Sequence, residues 1–146
     1  IGQGLQSLLS ELPVNGDWGV LQIDVTNAFN SLDRTAMLKG ARSHAPTMYP
    51  WLKFLYGQPT SLFCQGKTIL SLAGVHQGCP LGPAAFAVGI HDDVQSLQQF
   101  ALTWGVFYLD DGLLVGPIDR IRAAFEHIVP ALGAIGLSVN RGKCAL

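Results

Sequence analysis

The sequence predicts an α+β fold: a mainly antiparallel sheet with helices packed on one face. Three observations predict it. Apolar runs of strand length occur at Trp18–Val25 and on both sides of Tyr108–Gly112. Between them lie segments whose apolar residues recur every three or four positions, the spacing of a helix with one buried face. Short turns carrying Gly or Pro join neighbouring runs, as antiparallel strands require.

The elements follow in order. Leu5, Leu8, Leu9 and Leu12 predict a short amphipathic helix over 3–12, ended by Pro13 to Gly16. Trp18 to Val25 reads as a buried strand that finishes at Asp24. A helix is expected from Asn30 or Ser31 to about His44, with Asp33 in its first turn, where a carboxylate meets the positive helix end. Pro46 blocks its continuation, and Met48 to Tyr56 is helical again. Ser61–Gln65 and Thr68–Ala73 flank Gly66-Lys67 and read as a hairpin. Pro83 suits the first position of a helix whose buried stripe is Phe86, Ile90, Val94 and Leu97. A hairpin centred near Tyr108–Gly112 follows. Ile118, Ile121, Phe125, Ile128 and Leu132 mark another helix, which Pro130 is expected to kink or end early. Gly136 to Asn140 is a final short strand.

Composition narrows the class. With 146 residues, 49% hydrophobic and 13% charged, the chain suffices for one ordered domain with a real core. The low charged fraction suggests apolar surface covered by neighbours. A net charge of -1 gives no bulk sign of a nucleic-acid binder. Cys64, Cys79 and Cys144 are widely spaced, with no Cys-x-x-Cys or Cys/His ligand pattern, so they read as reduced thiols of an intracellular protein rather than zinc ligands. No signal peptide is apparent, and no apolar run approaches the roughly 20 residues that span a bilayer, so no membrane partner is expected. Beginning at Ile1 and stopping at Leu146, the sequence reads as a piece of a longer protein.

Three constellations carry chemistry. Tyr108-Leu109-Asp110-Asp111-Gly112 puts adjacent carboxylates at a hairpin tip. Such a pair resists ionising together unless a cation compensates it. Asp-Gly is also an ordinary turn signal. Asp24 supplies a third oxygen ligand, or alternatively a simple turn residue. Mg²⁺ takes hard oxygen ligands, and two such ions can clamp an in-line phosphoryl displacement. Gln77-Gly78-Cys79-Pro80-Leu81-Gly82-Pro83 reads either as a loop before a helix or as a stiffened wall of a nucleotide pocket. His91-Asp92-Asp93 falls mid-helix on the polar side and reads as a solvated face.

The set LQIDVTNAFNSLDR, HQGCPLGP, FYLDDGLLVG and GLSVNRGKC, in that order, resembles the palm motifs of reverse transcriptases, nearest to non-LTR retroelement or group II intron enzymes. The resemblance covers about residues 18–146. It implies a polymerase palm with a ferredoxin- or RRM-like core, a single domain over 1–146 in which 1–17 end the fingers, with most of the fingers and the thumb absent. It implies RNA-directed DNA synthesis from dNTPs on an RNA template and a DNA or RNA primer. Asp24 and Asp110 are then the principal ligands of two Mg²⁺ ions, with Mn²⁺ an alternative. Asp111 is the third carboxylate, and the Val25 carbonyl completes a shell. Backbone N–H groups of Thr26, Asn27, Ala28 and Phe29 face the triphosphate. Phe29 is the steric gate against a ribose 2′-OH, though core packing is an equal reading of the ring. Gln77 and Gly78 line the nucleotide and template side, and Tyr108 lies near the primer end. Lys143 matches a lysine that protonates the leaving pyrophosphate, or is a solvated strand-end lysine. Asn30, Gly82 and Cys79 depart from frequent family residues without removing a carboxylate. The weak basic character fits a palm, because fingers and thumb carry the basic residues. The alternatives are an RNA-dependent RNA polymerase, which Phe29 disfavours, and a non-catalytic palm used as a scaffold or RNA-binding module. An RRM-type binder ranks lower still, since no aromatic-rich RNP1 pattern is present.

Overall fold

The structure, a computed structural model, describes residues 17–145; the helix expected over 3–12 lies outside them. In chain order the elements are β1 (Trp18–Thr26), α1 (Ala28–Ser31), α2 (Arg34–His44), α3 (Tyr49–Tyr56), β2 (Thr60–Cys64), β3 (Lys67–Ser71), α4 (Gly82–Gly89) and α5 (His91–Ser96). A 3-10 turn at Leu97–Phe100 leads to β4 (Trp104–Tyr108), β5 (Asp111–Pro117), α6 (Ile118–Ala134) and β6 (Ser138–Val139).

Strands β4-β5-β1-β6 form one antiparallel sheet in that order, and β2-β3 form a separate hairpin. Period-two alternation in β1 turns Leu21, Ile23 and Val25 to one face and Gln22, Asp24 and Thr26 to the other. The first face, with Leu114, packs on Phe86, Ile90, Ile121, Ile128 and Leu132 from the helices, and these residues form the core. The second face carries exposed Val106 and Tyr108. The sheet is therefore covered on one side, as the sequence pattern implies, and the fold is α+β.

Several details differ from expectation. The helix expected from Asn30 or Ser31 is two helices, because Leu32 leaves helical geometry and sinks to 0% exposure. Asp33 is the N-cap of α2, not a first-turn residue, and its carboxylate accepts the Ala36 N–H at 2.8 Å. The helix beginning at Pro83 breaks at Ile90, so His91 opens a new helix instead of sitting mid-helix. The hairpin turn is Gln65-Gly66, both with positive φ, one residue before the expected Gly66-Lys67. Pro130 stays inside α6 without ending it. A mid-helix proline costs about 3 kcal/mol. Ile128 and Leu132 on either side are 0% and 1% exposed, and burying each such side chain returns about 1.5–3 kcal/mol, so packing carries the helix through.

Candidate active site

The β4–β5 turn is the two-residue Leu109-Asp110, with Leu109 at φ 59. The Asp-Gly pair is therefore not the turn, since Asp111 and Gly112 already belong to β5. Glycine is required at 112 by the ring lying across it: a Cβ there would sit 2.6 Å from Phe107 Cζ and 3.1 Å from Ile23 Cβ. Asp110 thus occupies the turn and Asp111 the first strand position.

Register then brings the distant carboxylate in. Asp24 lies directly opposite Asp111 across the β1–β5 ladder. The Val25 N–H donates to the Asp110 carbonyl at 3.2 Å, and the Asn140 N–H donates to the Asp24 carbonyl at 2.8 Å. The ends of three chain segments are thereby tied together by backbone bonds that do not depend on side-chain rotamers. The carboxylate oxygens of Asp24, Asp110 and Asp111 do not all lie within 4.8 Å of one another. Lys143 follows the same edge, its Nζ 3.9 Å from Asp24 Oδ2. That ion pair is largely solvated, with the lysine side chain 70% exposed, so it is a weak contact. Beside the carboxylates, Gln22, Trp104, Val106, Tyr108 and Asp111 line a groove of about 370 Å³ on the open sheet face.

A second recess lies where β1 turns into α1. Asn27 takes a left-handed conformation, which asparagine tolerates, and Phe29 emerges from α1 to stack on Phe86 with centroids 5.0 Å apart. Phe29, Gln77 and Gly78 share a cavity of about 400 Å³. The expected gate and the expected pocket wall are therefore neighbours. Phe29 is half-buried, so it both packs on the core and presents an edge to the cavity. The Thr26 backbone is partly committed to the sheet, paired with Ser138.

Sequence reasoning missed the support behind this loop. Arg34 is 7% exposed and clamps the chain between β3 and Gln77. Its Nε donates to the Gly74 carbonyl at 2.9 Å, and its two terminal nitrogens donate to the Ser71 carbonyl and hydroxyl at 2.8 Å each. Burial lowers its pKa, with the Tyr56 charge opposing. The guanidinium lies 5.2 Å from the Tyr56 ring centroid. Tyr56 in turn accepts the His76 N–H at 3.2 Å. Burial and then its hydrogen bond with Cys79 push the Tyr56 phenol above its ordinary 10.0. The signal was present: Arg34, Met37 and Ala41 fall at i, i+3 and i+7, so a charge lies on the apolar stripe.

Comparison with known proteins fits this geometry. Residues 5–146 match the family described as Reverse transcriptase (RNA-dependent DNA polymerase). A curated relative, the retrotransposable element SLACS 132 kDa protein of Trypanosoma brucei gambiense, is 26% identical over 98% of this chain. The chain spans 13% of that relative's length. Telomerase from Candida albicans, solved with a TWJ fragment of telomeric RNA, superposes with a TM-score of 0.66 at 18% identity, covering 98% of this chain and 29% of that one. Apo telomerase from Candida tropicalis gives 0.70 at 11% identity, over 96% and 30%. Among the described residues no helix is long and apolar enough to cross a membrane. With the family match covering nearly all of it, the chain belongs to the reverse transcriptase (RNA-dependent DNA polymerase) family.

Proposed function

We propose that this chain is the palm of an RNA-directed DNA polymerase, in which a primer 3′-OH attacks the α-phosphate of a dNTP paired to an RNA template. The observation that carries the reading is the register setting Asp24 opposite Asp111, with Asp110 bonded through its carbonyl to Val25. Residues 18–146 are the palm and 1–17 the end of the fingers. The thumb, the rest of the fingers, the template RNA and the primer strand are its partners.

Asp24, Asp110, Asp111 and the Val25 carbonyl are hard oxygen donors, and such a set fits Mg²⁺, or Mn²⁺ in its place, better than a soft metal. Two such ions, when bound, supply the charge that stabilises the attacking and leaving oxygens. The protein's part is position. The backbone bonds hold Asp24 and Asp110 at adjoining strand ends, so side-chain rotation alone adjusts the oxygens. Phe29 bounds the nucleotide recess, where its ring excludes a 2′-OH and so favours dNTPs. Gln77 and Gly78 form the opposite wall toward the template. Backbone N–H groups from Thr26 to Phe29 face the triphosphate. Tyr108, 67% exposed beside the open-face groove, lies near the primer end. Lys143, alongside Asp24, holds a proton for the leaving pyrophosphate.

Primer extension by the whole protein tests the reading, with an RNA template and dNTPs competing against NTPs. The expected result is dNTP incorporation that stops on chelation of divalent metal. Preferential NTP incorporation would favour the RNA-polymerase reading. No extension by a folded protein that still binds RNA would favour a scaffold.

A further inference from the structure

We infer that His44, His91 and Asp92 form a second metal site, away from the carboxylates, that takes a borderline divalent transition ion such as Zn²⁺. One ligand atom from each of the three lies within 4.8 Å of the other two. His44 Nε2 and Asp92 Oδ1 are 2.7 Å apart, and the His44 and His91 ring centroids are 4.2 Å apart.

The cluster is assembled by the fold, not by a local sequence run. His44 ends α2, while His91 and Asp92 open α5. Two features bring them together. The α2 and α4 helices cross so closely that a Cβ on Gly40 would fall 2.1 Å from the Val88 carbonyl oxygen. One turn beyond that crossing, α2 presents His44. Two residues beyond it, the break at Ile90 swings His91 and Asp92 out at the start of a separate helix. Had the helix run unbroken from Pro83, these side chains would have taken up the solvated mid-helix face expected from sequence.

The donor set selects the ion. Two imidazoles and one carboxylate suit Zn²⁺ and its neighbours, whereas Mg²⁺ and Ca²⁺ prefer oxygen alone. Zn–N and Zn–O bonds of about 2.0–2.2 Å in a tetrahedron put ligand atoms roughly 3.4 Å apart. The His44–Asp92 pair must open by about 0.7 Å from 2.7 Å, and the widest separation, at most 4.8 Å, must close by about 1.4 Å or less, within reach of side-chain rotation. Asp92 is 67% exposed and His44 33%, so the site is open to ions from solvent and leaves a fourth position for water. Asp93 is not part of it: its half-buried carboxyl lies outside the cluster, and burial first, then Asp92, raises its pKa. The bound ion pins the end of α2 to the start of α5, across the same crossing that carries Leu32 and Met37 onto Gly89.

The test is a calorimetric titration of the full chain with Zn²⁺ in excess Mg²⁺, with melting curves recorded with and without zinc. One equivalent should bind, and it should raise the melting temperature. His44→Ala and His91→Ala should each weaken binding at least tenfold. Asp92→Asn, which keeps a hydrogen-bonding partner for His44 but not the anionic ligand, should do the same while melting like the unaltered chain without zinc. Absence of binding at 100-fold the protein concentration would overturn the inference. So would zinc binding that all three substitutions leave unchanged, which would point to cysteines or other histidines.

Discussion

Replacing Arg34 by methionine removes the clamp behind the Gln77 loop while keeping the apolar stem. Arg34 makes three hydrogen bonds, to the carbonyls of Gly74 and Ser71 and to the Ser71 hydroxyl. The Gly74 acceptor is buried, and leaving it unpaired costs about 1–3 kcal/mol. Ser71 is only half-buried, so water can replace the guanidinium there, and each lost bond costs nearer ~0.5–1 kcal/mol. The Tyr56 contact adds about 0.5–1 kcal/mol. Because these terms share one side chain, the expected loss is about 3–5 kcal/mol, or a fall in melting temperature of roughly 10–20 °C. Urea and thermal melts of Arg34→Met measure it directly. Arg34→Lys keeps the charge but meets only part of the fork, so it should fall between the two. A loss under about 1 kcal/mol for Arg34→Met would refute the idea that this buried guanidinium holds the loop.

Two further outcomes follow from the same structure. Phe29→Ala opens the recess shared with Gln77 and Gly78, and should shift the dNTP-to-NTP preference of the whole protein toward NTPs by at least about tenfold, roughly 1.4 kcal/mol. Its stacking on Phe86 is lost too, so competition between the two substrates, not total rate, is the measurement that separates gate from core. Tyr56 gives a pH signature. Its phenol is raised above 10.0 in the folded chain, so the unfolded chain ionises first and binds fewer protons above pH 10. Stability should therefore fall as pH rises through and above 10, and Tyr56→Phe should flatten that slope despite losing the His76 bond at every pH.

Much of this fold is legible locally. The strand bearing Asp24, the hairpin bearing Asp110 and Asp111, and the order of motifs all rest on short-range patterns, and the register between them follows once alternation fixes which face is buried. Phe29 and Gln77 are similarly foreseeable as neighbours through the family resemblance. Long-range contacts account for what is not legible. Leu32 breaks a helix because the core takes its side chain, and Asp33 then caps the next one. Pro130 stays helical because Ile128 and Leu132 are already buried. Ile90 interrupts another helix at a crossing set by Gly40 and Gly89, 49 residues apart in the chain by their numbering. The role of Arg34 is legible in its place on the apolar stripe of α2. The His44 cluster is only partly visible locally: His91-Asp92 stands out as a run, but His44 comes from a helix that meets it only in the folded chain.

Primer extension by Asp110→Asn in the whole protein most directly tests the central claim that Asp24, Asp110 and Asp111 form a polymerase site. Asparagine preserves the size of the turn side chain and leaves the carbonyl bond to Val25 in place, so the fold is retained while one anionic ligand is lost. Single-turnover extension on an RNA template with Mg²⁺ should fall by about a thousandfold or more, roughly 4 kcal/mol of lost transition-state stabilisation, with RNA binding unchanged. Extension at the rate of the unaltered protein would contradict it.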